Sequence, residues 1–149
     1  MNKNGILIRL SESDKTKFGK EDFATQSIPQ RVFSSIWALE SEVNNGGFAQ
    51  YFLNESGETA AFIVEALETI GAQKTANICR HAIATSCHTG LPAGSEAISS
   101  QPAVLSEEVR EHLKRLDLEF FKYPDNLTDL LFAYVAKHPE EFGEVSLPY

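Results

Sequence analysis

Apolar residues recur at three- and four-residue intervals along most of this chain, and Gly, Pro and Asn interrupt them repeatedly. That pattern restricts the fold to helices around one core, because a stripe at helical period must be buried against a neighbour. The first firm stripe starts near Ser27–Pro29 and runs through Val32, Phe33, Ile36, Trp37 and Val43. It stops at Asn44-Asn45-Gly46-Gly47, residues that tolerate the left-handed backbone closing a helix. A short helix is expected over Phe48–Asn54. Ser56-Gly57 opens a third, with Glu58 in the first turn where the helix dipole favours a carboxylate. Its stripe is Phe62, Ile63, Ala66, Leu67 and Ile70, and Gly71 ends it.

A fourth helix is expected at Lys74–Cys87, followed by an irregular connection over 89–105, rich in Gly, Pro, Ser and Ala. Ser106 is a good N-cap for a fifth helix that buries Val109, Leu113, Leu116 and Phe120 and breaks at Tyr123-Pro124. Asp125 is expected to cap a sixth, with Leu127, Leu130, Leu131, Tyr134 and Val135 inward. Lys137 and His138 sit at its C-terminus, and Pro139–Phe142 adds a last turn. The expected fold is all-α, a compact orthogonal bundle of about six helices over residues 27–149. Residues 1–26, where Ile6, Ile8 and Leu10 alternate, read as a loose arm with room for a short strand or a helical turn.

At 149 residues the chain fits one domain with a proper core. Its net charge is −8, spread unevenly. Residues 32–73 hold six carboxylates (Glu40, Glu42, Glu55, Glu58, Glu65, Glu68) and no Lys or Arg, and residues 116–149 sum to −5. Polyanions such as nucleic acid and acidic membrane are disfavoured as direct partners, and a basic protein is favoured. Solubility alone is the plainer explanation of such charge.

Cys79 and Cys87 make no disulfide framework, no secretory signal opens the chain, and the longest apolar run, Leu130–Ala136, is too short for a membrane span. A cytoplasmic protein is expected. Cys79 and His81 point to different sides of a helix, and His81 and His88 lack two further ligands, so neither metal nor cofactor is expected. No nucleophile elbow or metalloprotease pair is present, and adjacent carboxylates such as Glu65 and Glu68 read as a solvated face. A non-catalytic protein is expected. Oligomeric state is not readable from the sequence.

The densest pattern is Glu42-Val43-Asn44-Asn45-Gly46-Gly47-Phe48, followed by Gln50-Tyr51-Phe52, Asn54 and Gly57. Its glycines permit a sharp turn, and its amides can bond the free backbone groups of two helix ends. Two uses are open: a corner locked by Asn and Gln, or a ligand pocket lined by Asn44, Asn45, Gln50, Tyr51 and Asn54.

This string resembles the signature of the bacterial DNA-mimic protein family, long catalogued as a domain of unknown function. The Ala66-Leu67…Ile70-Gly71-Ala72, Leu116-Asp117…Phe120-Phe121 and Tyr134-Val135-x-x-His138-Pro139-Glu140-Glu141-Phe142 blocks are similar too, so the resemblance covers about residues 30–143. It implies a helical domain with no known catalytic site, whose namesake occupies the DNA-binding face of a transcription repressor. The six central glutamates would then stand in for phosphates against a DNA-binding regulator. An immunity or adaptor protein blocking a basic toxin or enzyme is the rival, and a small-ligand role at the Asn44–Asn54 corner a third.

Overall fold

The computed structural model describes residues 2–54, 57–86 and 106–145, without the side chains of Gly57 and Glu58. Its elements are α1 (Lys3–Glu12), a 3-10 turn (Phe23–Thr25), α2 (Ile28–Asn54), α3 (Gly57–Thr69), α4 (Gln73–Ser86), α5 (Glu107–Phe121), α6 (Leu127–Ala136) and α7 (Pro139–Phe142). Every element among the described residues is helical, and the helices form a compact all-α bundle. The expected 89–105 connection, Cys87 and His88 lie outside the described residues.

Helix α2 is the spine. It packs against α3, α5 and α6, while α4 bridges α3 and α5. Val32, Phe33, Ile36, Leu39 and Val43 on its long limb and Phe48, Tyr51 and Phe52 on its short limb are all buried, on opposite sides of one break. Around them close Ile63 and Leu67 of α3, Cys79 of α4, Leu113 and Phe120 of α5, and Leu131 and Val135 of α6. Phe48 meets Phe120 edge-on at 5.9 Å, a favoured arrangement for aromatic quadrupoles.

Two sequence expectations are corrected. The N-terminal arm is neither loose nor a strand. Asn2 caps α1 by accepting from the Gly5 N–H at 2.9 Å, and Leu7 and Leu10 bury against α6. The alternation of Ile6, Ile8 and Leu10 concealed the spacing of Ile6, Leu7 and Leu10, which is helical; Ile8 points outward at 42% exposure. The following loop is pinned as well. Buried Gln30 accepts from the Lys17 N–H at 3.0 Å and donates to the carbonyls of Lys15 (2.9 Å) and Glu141 (3.2 Å).

The second correction concerns Asp125. It does not cap the sixth helix; Asn126 does, accepting from the Asp129 N–H at 3.0 Å. Asp125 reaches instead to α4, where its Oδ2 accepts from the Thr75 N–H at 2.8 Å and hydroxyl at 3.0 Å. A carboxylate in one loop thus satisfies the first turn of a helix fifty residues away in sequence.

Candidate functional site: the Gly46–Gly47 corner and its carboxylates

The helical path of α2 breaks where the glycines predict. Gly47 has φ 77° and ψ −178°, a backbone closed to side-chain-bearing residues. The break frees the N-terminus of the short limb, and its donors need acceptors. Asp117 of α5 supplies one, taking the Phe48 N–H on Oδ1 at 2.8 Å. A Cβ on Gly47 would overlap that carboxylate, so the second glycine is required twice over, by φ and by the approach of α5. At Gly46 the requirement is space alone, because the Gln50 side chain lies directly over it.

The remaining motif residues close the corner from outside. Gln50 Nε2 and Asn54 Nδ2 both donate to Glu42 Oε2 at 2.9 Å, tying the two limbs together across the break. Asn44 Nδ2 donates to the Tyr123 hydroxyl at 2.8 Å, and that hydroxyl donates to Glu40 Oε2 at 3.0 Å. Tyr123 holds this position with φ 47°, in the turn after α5. Asn45 is exposed, and Phe48 and Tyr51 are each 1% exposed. The corner is therefore filled with aromatic rings, and the amides of Asn44, Gln50 and Asn54 are committed to internal partners.

Burial tunes these groups. It raises the Glu40 carboxyl above the ordinary glutamate range, with the Tyr123 hydrogen bond acting in the opposite direction. Asp117 is raised by burial too, opposed by the Phe48 N–H and by Lys114. Tyr123 is pushed up to about 12, chiefly by burial; the bond from Asn44 lowers it and Glu40 raises it further.

The six central carboxylates do not share one fate. Glu40 and Glu42 are half-buried fasteners of the corner. Glu68 is exposed and paired with Arg80 of α4. Glu65 is exposed on α3. Glu55 and the Glu58 side chain lie outside the described residues. The acidic C-terminal third divides likewise. Asp117 and Asp125 cap helices, Asp129 pairs with Lys3 at 3.2 Å, and Glu141 accepts from the Ser27 hydroxyl at 2.7 Å. Helix α5 interleaves Glu107, Glu108, Glu111 and Glu119 with Arg110, Lys114 and Arg115, so both signs lie along it.

Reasoning from sequence missed Tyr123 as a partner of the motif and read it only as a helix breaker. Asp117 entered only through the family resemblance. No local signal marks either, because both meet the motif through tertiary packing. Among the described residues no cluster of His, Cys, Asp and Glu is arranged to hold a metal, and no helix is long and apolar enough to cross a membrane. Cys79 is buried, and burial pushes its thiol far up, away from reactivity.

A helical bundle built on a glycine-broken spine, with a carboxylate from a second helix capping the break, defines the structural class. The model of the DMP19-like protein family matches residues 24–138, and the chain belongs to that family. No curated protein and no solved structure matches the chain.

Proposed function

We propose that this protein is a non-catalytic acidic binding protein that occupies the DNA-binding face of a transcription regulator. The observation that carries the reading is the acidic stretch of residues 32–73, without a single Lys or Arg, on the scaffold of the DMP19-like family. A surrogate phosphate must be charged and reachable by a partner's Lys and Arg. Glu65 on α3 meets both conditions; Glu68, one turn on at about 4.5 Å along the axis, is exposed but shares its charge with Arg80 of α4, which a partner's cation must displace. Glu58 belongs to the same helix and Glu55 precedes it. Glu42 is set apart from this role by its bonds from Gln50 and Asn54, and Glu40 is recessed beside the corner with one oxygen bonded by Tyr123.

Such a surface steers a basic partner by charge, so binding weakens with salt and competes with duplex DNA. The test is capture of partners from lysate by tagged protein, with duplex DNA added as competitor. The bait is compared with a variant carrying E55Q, E58Q, E65Q and E68Q, which leaves the corner untouched. A DNA-binding protein held by the wild type, displaced by duplex and missed by the variant supports the reading. Equal retention by both baits overturns it.

A further inference from the structure

Beside the corner, one turn back along α2, the surface opens into a groove of about 250 Å³ between α1, α2 and the first turn of α6. Helix α2 presents Trp37, Glu40, Ser41 and Asn44 to it, a single stripe at positions i, i+3, i+4 and i+7. Helix α1 answers with Asn4, Leu7 and Ile8, and Thr128 closes one end. The volume is below the ~300–1,000 Å³ of clefts for drug-sized ligands, so it suits one side chain or a molecule of that size.

Among the described residues that line it there is one charge, and it is negative: Glu40 is the ionisable one, and the others are amides, hydroxyls and apolar groups. Tyr123 fixes Glu40 Oε2 from behind, and Oε1 carries no bond among the described residues. Trp37 is held by stacking on Phe33 at 5.3 Å, so its ring is a rigid wall. A positioned carboxylate, an aromatic wall and apolar contacts from Leu7 and Ile8 suit a planar cation on a short apolar stem.

We propose that this groove binds a guanidinium group carried on a short alkyl chain, with Glu40 as its counter-ion and Trp37 beside its stem. The site stands independently of DNA mimicry, since it uses neither Glu65 nor Glu68. An anion finds no positive group in the lining, and a purely apolar guest would strip water from Glu40 without replacing its bonds.

Trp37 is the only tryptophan, so tryptophan fluorescence arises from the wall of this groove. The full chain is titrated with butylguanidinium and, separately, with the neutral analogue butylurea. The expected result is a saturable change with butylguanidinium and none with butylurea. E40Q, checked for folding by circular dichroism, is expected to weaken binding about tenfold or more, the scale of a hydrogen bond to a charged group. T128K leaves residue 40 unchanged but places an ammonium in the same groove, where it competes for Glu40, and is expected to abolish binding, which decides the matter if E40Q fails to fold. Equal binding of butylurea, or unchanged binding in folded E40Q or in T128K, overturns the proposal. A third titration uses the peptide acetyl-Gly-Arg-Gly-amide. Binding as tight as butylguanidinium assigns the site to an arginine displayed on a protein, and binding of butylguanidinium alone assigns it to a free small cation; both results uphold the site.

Discussion

The corner at Gly46–Gly47 and the groove at Trp37–Asn44 lie on the same helix, yet they treat polar groups in opposite ways. In the corner, Glu42 accepts from Gln50 and Asn54, Asp117 accepts from Phe48, and rings of Phe48, Tyr51 and Phe52 fill the interior. In the groove, Glu40 is bonded on one oxygen only and faces open space. The difference teaches that the motif with the most distinctive sequence is the part with least left to offer a ligand. Its glycines turn the chain, and the amide nitrogens of Gln50 and Asn54 are bonded to Glu42 and that of Asn44 to Tyr123. What a partner can reach lies to either side, on the outer face of α3 and in the groove.

The contrast breaks most visibly at Gly47. G47V forces a β-branched residue to φ 77° and drives its Cβ into the Asp117 carboxylate. A loss of about 3 kcal/mol or more is expected in urea denaturation, a large part of the ~5–15 kcal/mol that holds an ordinary domain. Next comes D117A, which leaves the part-buried Phe48 N–H without its acceptor and is expected to cost about 1–3 kcal/mol. D117N keeps an acceptor oxygen and should recover part of that loss; equal loss in both would show that Asp117 acts by charge rather than by capping. Y123F removes the bonds to Asn44 and Glu40 and is expected to cost about 0.5–1.5 kcal/mol.

The pH dependence sharpens the same contrast. Glu40 has its folded pKa raised above 4.5 by burial, so the folded state holds this proton more tightly than the unfolded chain. Its contribution to stability is fully present below the unfolded pKa and is lost as pH rises through the folded value. Wild type should therefore gain stability on E40Q as pH falls from neutrality toward 4.5. Parallel pH profiles would contradict the burial of Glu40. Replacing the exposed Glu65 and Glu68 by Gln should change stability by no more than about 1 kcal/mol, since the Glu68–Arg80 pair is solvent-exposed.

Much of this architecture was legible because its signals are local. Gly46-Gly47 announced the break in α2, Ser106 announced α5, and the stripe from Val32 to Val43 announced the spine. The arm was misread because a strand-like alternation and a helical spacing coincide over Ile6–Leu10, and only docking against α6 decides between them. Asp125 was misassigned because a capping carboxylate can serve any nearby helix start, and sequence proximity favours the wrong one. The groove was not legible at all. Trp37 sits in an apolar stripe and reads as core, while its neighbours Asn4, Leu7, Ile8 and Thr128 come from elements distant in sequence.

The proposed function divides the carboxylates: Glu40, Glu42 and Asp117 bond within the fold, while Glu55, Glu58, Glu65 and Glu68 are proposed to meet the partner. The most direct test pairs urea denaturation with duplex-competed capture on one protein, the variant carrying E55Q, E58Q, E65Q and E68Q. The account predicts a denaturation midpoint close to wild type together with loss of the partner that duplex DNA displaces. A variant that still retains that partner, or that unfolds like D117A, would contradict it.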